Sequence, residues 1–218
     1  MAGIVPFLLH LIFPVRCPLC GRAGSCGCVE CIKEVLSPNF SLCIKCLGPY
    51  PCEEHSSSFP HYWGARHEGM ARKLVHLLKY ENNGALGVSM GMALASYVTG
   101  MSADALVPIP LHIGSPRLFN QSRKIAQGLS LKLDIPMRDC LAWNVEVAPR
   151  ASKGSTRSKL PENSFKVTGL LRNIKTAIIC DDVCTTGATI QKAASSLAKI
   201  GIEVVGSISF TVGKGPKL

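Results

Sequence analysis

No stretch of this 218-residue chain reaches the roughly 18 consecutive apolar residues that a membrane-spanning helix needs, so no membrane span is expected. The apolar opening Ile4-Val5-Pro6-Phe7-Leu8-Leu9-His10-Leu11-Ile12-Phe13 lacks a basic flank and a small-residue cleavage site. It reads as an amphipathic segment packing on the protein itself, and a cytoplasmic location is expected. Acidic residues are scarce, with 14 Asp and Glu against 24 Lys and Arg and a formal net charge of +10. Aromatics are scarce too: two Trp, four Tyr and seven Phe, in no linear alternation with bases, which leaves specific single-strand readout by stacking without a sequence signal. There is no GxxxxGK[ST] and no GxGxxG after a strand, which excludes a P-loop and a dinucleotide fingerprint. Internal repeats and low-complexity tracts are also absent.

What remains is unevenly distributed. Residues 1–60 hold four basic and four acidic side chains, so the whole positive excess lies in residues 61–218 and suggests an anionic partner there, a phosphate-rich metabolite or nucleic acid. Cysteine is segregated the other way, with eight of eleven between Cys17 and Cys52. Their order is Cys17-x2-Cys20, Cys26-x-Cys28-x2-Cys31, Cys43-x2-Cys46 and Cys52-x2-His55. A two-residue spacer lets a tight turn aim both ligands at one tetrahedral Zn²⁺, and two such half-sites close a structural site whose metal supplies folding energy to a segment too short for its own core. The simplest assignment is successive: Cys17, Cys20, Cys28 and Cys31, then Cys43, Cys46, Cys52 and His55. Interleaved pairing fits equally, and Cys26 is left over. A disulfide scaffold is the competing reading, disfavoured without a secretion signal. The domain expectation is a cysteine-rich zinc-ribbon module over 1–58 and a larger domain over 59–218.

After the turn-rich Ser56–Pro60, Met70, Leu74, Leu77 and Leu78 recur at helical spacing, and a second helix is expected from Leu86 to Val98. Ala105–Pro110 reads as a short buried strand, Phe119–Leu133 as a helix and Leu141–Val147 as β. Pro149–Asn163, rich in Ser, Lys, Arg and Gly, reads as a basic loop. The clearest unit comes last: strand Thr176–Asp181, loop Asp182–Gly187, helix Ala188–Ile200 closed by Gly201, and strand Glu203–Phe210, an order that implies a right-handed crossover in a parallel sheet.

At its heart lies Ala177-Ile178-Ile179-Cys180-Asp181-Asp182-Val183-Cys184-Thr185-Thr186-Gly187-Ala188-Thr189. A Thr/Gly turn from a strand's C-terminal end into a helix offers free backbone N–H groups, hydroxyls and the positive end of a helix dipole, which together cradle a phosphate. Two carboxylates beside a phosphate need hydroxyls or a divalent cation to meet them, and a ribose with Mg²⁺ answers that need. This stretch resembles the phosphoribosyl-diphosphate (PRPP) signature of type I phosphoribosyltransferases. With Phe13-Pro14-Val15-Arg16-Cys17-Pro18-Leu19-Cys20-Gly21, Leu78-Lys79-Tyr80, Val107-Pro108-Ile109-Pro110-Leu111-His112 and Phe119-Asn120-Gln121, nearly the whole chain resembles the ComF (ComFC-like) competence family.

The resemblance implies an α/β fold, a phosphoribosyltransferase-like parallel sheet with helices on both faces behind a small N-terminal zinc-ribbon module. It implies that Asp181 and Asp182 hold the ribose hydroxyls and Mg²⁺, and that Thr185, Thr186, Gly187, Ala188 and Thr189 bind the 5′-phosphate. Leu111 and His112 stand where the pyrophosphate turn is expected. Ser115-Pro116-Arg117-Leu118 departs from the Arg-Gly usual before Phe-Asn-Gln, and Arg150–Phe165 departs from the family's glutamine-bearing flexible loop. In a transferase that loop closes over the pyrophosphate, and Arg150 and Lys153, with Arg157 and Lys159, are suited to neutralise its charge. The expected catalytic set is Asp181, Asp182, Arg150 and Lys153. The resemblance implies a part in DNA uptake, with three functions open: phosphoribosyl transfer from PRPP with Mg²⁺, a PRPP-sensing accessory protein that engages single-stranded DNA or a competence helicase, or a structural zinc protein with a vestigial PRPP site, which the intact Asp-Asp and Thr-Thr-Gly-x-Thr elements disfavour.

Overall fold

The structure is a computed structural model, and it describes residues 14–37, 40–98, 100–144, 160–161, 163–169 and 171–213. The expected amphipathic opening, and the candidate catalytic residues Arg150 and Lys153, lie outside the described residues. In chain order the elements are α1 (Val29–Lys33), β1 (Leu42–Cys43), a 3₁₀ turn (Glu53–His55), β2 (Pro60–Arg66), α2 (Gly69–Tyr80), α3 (Gly84–Ala95), β3 (Ala105–Pro108) and α4 (Gln121–Leu133). Then come β4 (Leu141–Trp143), β5 (Phe165–Val167), β6 (Thr176–Cys184), α5 (Ala188–Ala198) and β7 (Glu203–Val212).

Five strands form one sheet in the order β1-β2-β7-β6-β3. β2, β7, β6 and β3 are parallel, and β1 adds an antiparallel edge. The strands therefore alternate side chains between two cores. Leu106, Ile178, Cys180, Ile208 and Phe210 belong to one cluster with Leu74, Leu78, Met90, Ile125 and Leu129 of α2, α3 and α4. Ala105, Val107, Ala177 and Ile179 belong to the other, with Ile190, Ala193 and Leu197 of α5 and with Leu141 and Phe165 of the β4–β5 hairpin. Helices thus cover both faces, as expected. Phe210 is fully buried, and its truncation to Ala would cost about 3–5 kcal/mol.

Several elements differ in detail from the sequence expectation. The buried stripe of α2 is Ala71, Leu74, Val75 and Leu78, an i, i+3, i+4, i+7 set, and Met70 is exposed. α3 starts two residues earlier than expected because Asn83 caps it, its side chain accepting from the Leu86 N–H at 3.0 Å, and it ends at Ala95 rather than Val98. α3 and α4 cross with Gly91 against the Ile125 carbonyl and Gly128 against that of Val88, so a methyl at either glycine would meet backbone. β6 runs three residues past Asp181, to Cys184, because Asp181, Val183 and Cys184 keep their pairing to Ser209, Thr211 and Val212 of β7. β3 ends at Pro108, shorter than expected, and β4 runs from Leu141 to Trp143, residues 145–147 of the expected strand lying outside the described residues.

β2 follows the turn-rich serines and is parallel to β7, close to 150 residues away in sequence. Its His61 is fully buried between the Ser207 hydroxyl (2.8 Å) and the Ser209 hydroxyl (3.0 Å). Burial pushes this imidazole down to about 3, so it is a neutral, satisfied core histidine at neutral pH. β1 carries Cys43, the first member of the second cysteine group, straight into the main sheet, opposite Pro60.

Candidate functional site

Asp181 and Asp182 stand near the C-terminal end of β6, an interior strand between β7 and β3. In such sheets this edge is where ligands bind, because the strand ends and helix N-termini open onto it. The two carboxylates are held differently. One Asp181 oxygen accepts from the Ser122 hydroxyl at 2.9 Å and from the Asp182 N–H at 2.8 Å. Asp182 pairs with the Lys79 ammonium of α2 at 2.7 Å, both side chains mostly buried. Burial and the neighbouring Asp182 charge push the Asp181 carboxyl up to about 7, against the pull of Ser122, the Asp182 N–H and Lys79. A carboxyl shifted this far inside a cleft marks Asp181 as a candidate functional group.

Past β6 the chain turns through Thr185 and Thr186 to Gly187, which precedes α5 with φ at 74°. Only glycine adopts that left-handed conformation at little cost, and here it also leaves room for the Ile44 carbonyl. Gly187 has no side chain to cap α5, and of the helix's first-turn N–H groups that of Ala188 turns to the Thr186 hydroxyl. The Thr186 hydroxyl lies 3.4 Å from the Ala188 N–H.

Opposite lies the turn after β3. Asn120 both caps α4, accepting from the Arg123 N–H at 3.2 Å, and donates to the Ile109 carbonyl at 2.8 Å, tying helix start to strand end. Arg117 donates to Gln121 at 3.2 Å. The Trp143 indole N–H donates to the Pro110 carbonyl at 3.2 Å, and its ring lies 4.9 Å from His112 and 4.5 Å from Phe165.

These parts enclose one cleft of about 420 Å³, lined by Lys79, residues 109–117, Asn120, Gln121, Ser122, Trp143, Leu160, Asp181, Asp182, Val183, Thr185 and Thr189. The expected Asp181, Asp182, Thr185, Thr189, Leu111 and His112 therefore share one cavity. Thr186, Gly187 and Ala188 belong to the same turn but do not line its wall. Sequence reasoning missed three contributors. Lys79 lay inside a quoted motif without a role, while Ser122 and Trp143 carried no motif at all; only the tertiary fold brings them to the carboxylates and the opposite turn.

The cysteines form two successive groups: Cys17, Cys20, Cys28, Cys31 and Cys43, Cys46, Cys52, His55, with ligand atoms all within 4.8 Å of one another in each. The sulfurs of Cys20 and Cys28 are 3.8 Å apart, and those of Cys46 and Cys52 3.7 Å. Two thiolates about 2.3 Å from a shared ion at the tetrahedral angle stand about 3.8 Å apart, so both groups could hold Zn²⁺. No described cysteine is in a disulfide. Burial alone would raise the Cys17 thiol, but backbone N–H groups of Cys28, Cys20 and Leu19 outweigh it and bring the thiol down to about 6, while the hydrogen bond with Cys20 pushes Cys31 of the same group up to about 12. Cys26 belongs to neither group and packs against the α2–α4 core.

The phosphoribosyl transferase domain model matches residues 120–216. Competence protein F of Haemophilus influenzae is 28% identical over 108 residues, covering 47% of this chain and 47% of that protein, so the match spans about half the length of the relative. A purine phosphoribosyltransferase from Pyrococcus horikoshii Ot3 is 14% identical in sequence, covers 59% of this chain and 83% of its own, and superposes with a TM-score of 0.35. Among the described residues no helix is long and apolar enough to cross a membrane. The domain match, the curated relative and the two N-terminal cysteine groups together fit a ComF-like protein with a phosphoribosyltransferase domain.

Proposed function

We propose that the cleft binds PRPP with Mg²⁺ and transfers its phosphoribosyl group to an acceptor, with loss of pyrophosphate. The observation that carries this reading is the convergence, in one cavity, of a carboxylate pair, Thr185 and Thr189 from the turn and first helical residues of α5, and the turn at Pro110–Ser115. The spatial order suits the ligand: the 5′-phosphate on Thr185–Thr189, ribose hydroxyls on Asp181 and Asp182, pyrophosphate toward Leu111 and His112. The paired acids fit a divalent cation, which would offset the charge of the departing pyrophosphate. Lys79 pairs with Asp182 and lines the same cleft, which supports a role for it in meeting the pyrophosphate once a cation takes its partner. Arg150 and Lys153 are proposed to neutralise the charge of the leaving group. The bond broken joins C1′ to the pyrophosphate oxygen, and the bond formed joins C1′ to the acceptor.

A second reading, a PRPP sensor that binds single-stranded DNA in the cytoplasm and works with a helicase, draws support from α2. Its exposed residues Arg72, Lys73, His76 and Tyr80 make a basic and aromatic face that linear order hides, with the His76 and Tyr80 rings 4.6 Å apart and Tyr80 63% exposed. That face belongs to the helix that sends Lys79 to the carboxylates. The discriminating experiment is pyrophosphate release from PRPP across a panel of nucleobases and amines. Acceptor-stimulated release, lost at least about 100-fold in Asp182→Asn, supports transfer. PRPP-dependent DNA affinity without turnover on any acceptor supports the sensor, and absence of both overturns the two readings together.

A further inference from the structure

Ile44 lies between two ligands of the second cysteine group, Cys43 and Cys46, and is fully buried. Its backbone carbonyl accepts a hydrogen bond at 3.0 Å from the Gln191 side-chain amide, one turn into α5. The same carbonyl presses on Gly187, the residue that precedes α5, and the Ile44 side chain lies 3.1 Å from where a Gly187 methyl would stand. Ile44 also shares a core with Ile190 and Ala193 of the same helix. The loop that would grip the second metal ion is therefore in direct contact with the phosphate-binding turn, although the two are more than 140 residues apart in sequence. The first group docks elsewhere: Gly27, between Cys26 and Cys28, abuts Leu86 of α3, and Ile32 beside Cys31 joins the α2–α4 core.

We infer that the second metal group, Cys43, Cys46, Cys52 and His55, sets the position of the phosphate turn through the Ile44 peptide, with Gln191 as the positioning residue, whereas the first group is a remote staple. The inference rests on the proposed phosphate site. A metal that fixes Cys43 and Cys46 fixes the peptide between them. That peptide in turn fixes Gly187 and the first turn of α5, whose N–H groups face the phosphate. Loss of the ion frees the CxxC loop and removes the wall behind the turn. Binding linkage is reciprocal, so a phosphate ligand on the turn must retain the second ion and leave the first unaffected.

The test uses the full chain loaded with Co²⁺, whose visible bands differ between an all-cysteine site and one containing histidine. Decay of each band is followed after excess chelator, with and without PRPP and Mg²⁺ at concentrations that calorimetry shows to be saturating. The expected result is slowing of about five-fold or more at the histidine-containing site, no change at the all-cysteine site, and loss of the effect in Gln191→Met with metal content unchanged. Inorganic phosphate should give a weaker version of the same pattern. Saturated PRPP with both decays unchanged, equal slowing at both sites, or full slowing in Gln191→Met would each overturn the inference while leaving the phosphate site standing. Absence of PRPP binding in the calorimeter would remove the site itself, and the inference with it.

Discussion

Replacing Gly187 by Ala perturbs the turn in two separable ways. Its φ of 74° lies in the left-handed region, which costs a side-chain-bearing residue roughly 1–2 kcal/mol. The new methyl would also meet the Ile44 carbonyl, a backbone group that cannot swing aside, adding an overpacking cost of about 1–3 kcal/mol. Gly201 provides the control, with a φ of +80° but nothing within 4 Å of an added methyl, so Gly201→Ala should bear the conformational cost alone. For a chain of this size 1 kcal/mol moves Tm by about 2–4 °C. Thermal unfolding of zinc-loaded protein should then show a fall of about 2–8 °C for Gly201→Ala and about 4–20 °C for Gly187→Ala. PRPP affinity should fall in Gly187→Ala alone. A Gly187→Ala protein no less stable than Gly201→Ala, with undiminished affinity, would refute the claim that this turn is wedged against the second cysteine group.

Lys79→Met should weaken PRPP binding by about 10-fold or more and destabilise the ligand-free protein by about 1–3 kcal/mol, because Asp182 is left mostly buried beside Asp181 without its cation; calorimetry and urea unfolding check this. A raised carboxyl favours the fold while protonated, so the Asp181 contribution to stability is fully present below the ordinary carboxylate range and is lost as pH rises through about 7. Urea midpoints of the ligand-free protein should accordingly decline from pH 5 to pH 8 more steeply than those of Asp181→Asn. PRPP with Mg²⁺ uses the ionised form, so its affinity should rise over the same interval. Stripping metal with a chelator should loosen the β1 edge, raising amide exchange at Leu42 and Cys43 and in the first turn of α5 before that of β6.

The parts legible in the sequence are those whose signal is local. The β6–α5–β7 unit announces itself through an apolar run, a Thr/Gly turn and a helical period within some forty residues, and the cysteine pairs through two-residue spacers. β2 escaped because His61, Tyr62 and Trp63 follow a run of serines and their strand becomes one only by pairing with β7 across the whole chain. Its buried polar member, His61, is tolerated because two serines of that distant strand answer both ring nitrogens. Lys79 and Ser122 reach the carboxylates from α2 and α4, and side-chain direction across a core leaves no one-dimensional trace. The pairing of β1 with β2 and the contact of Ile44 with α5 likewise depend on three-dimensional closure of the sheet.

The most direct test of the account is isothermal titration of PRPP with Mg²⁺ into zinc-loaded protein, beside the Asp181→Asn/Asp182→Asn variant. Saturable binding by the intact protein that the variant loses is the predicted result. An intact, folded protein that takes up no PRPP would contradict the central claim that this cleft is a phosphoribosyl-diphosphate site.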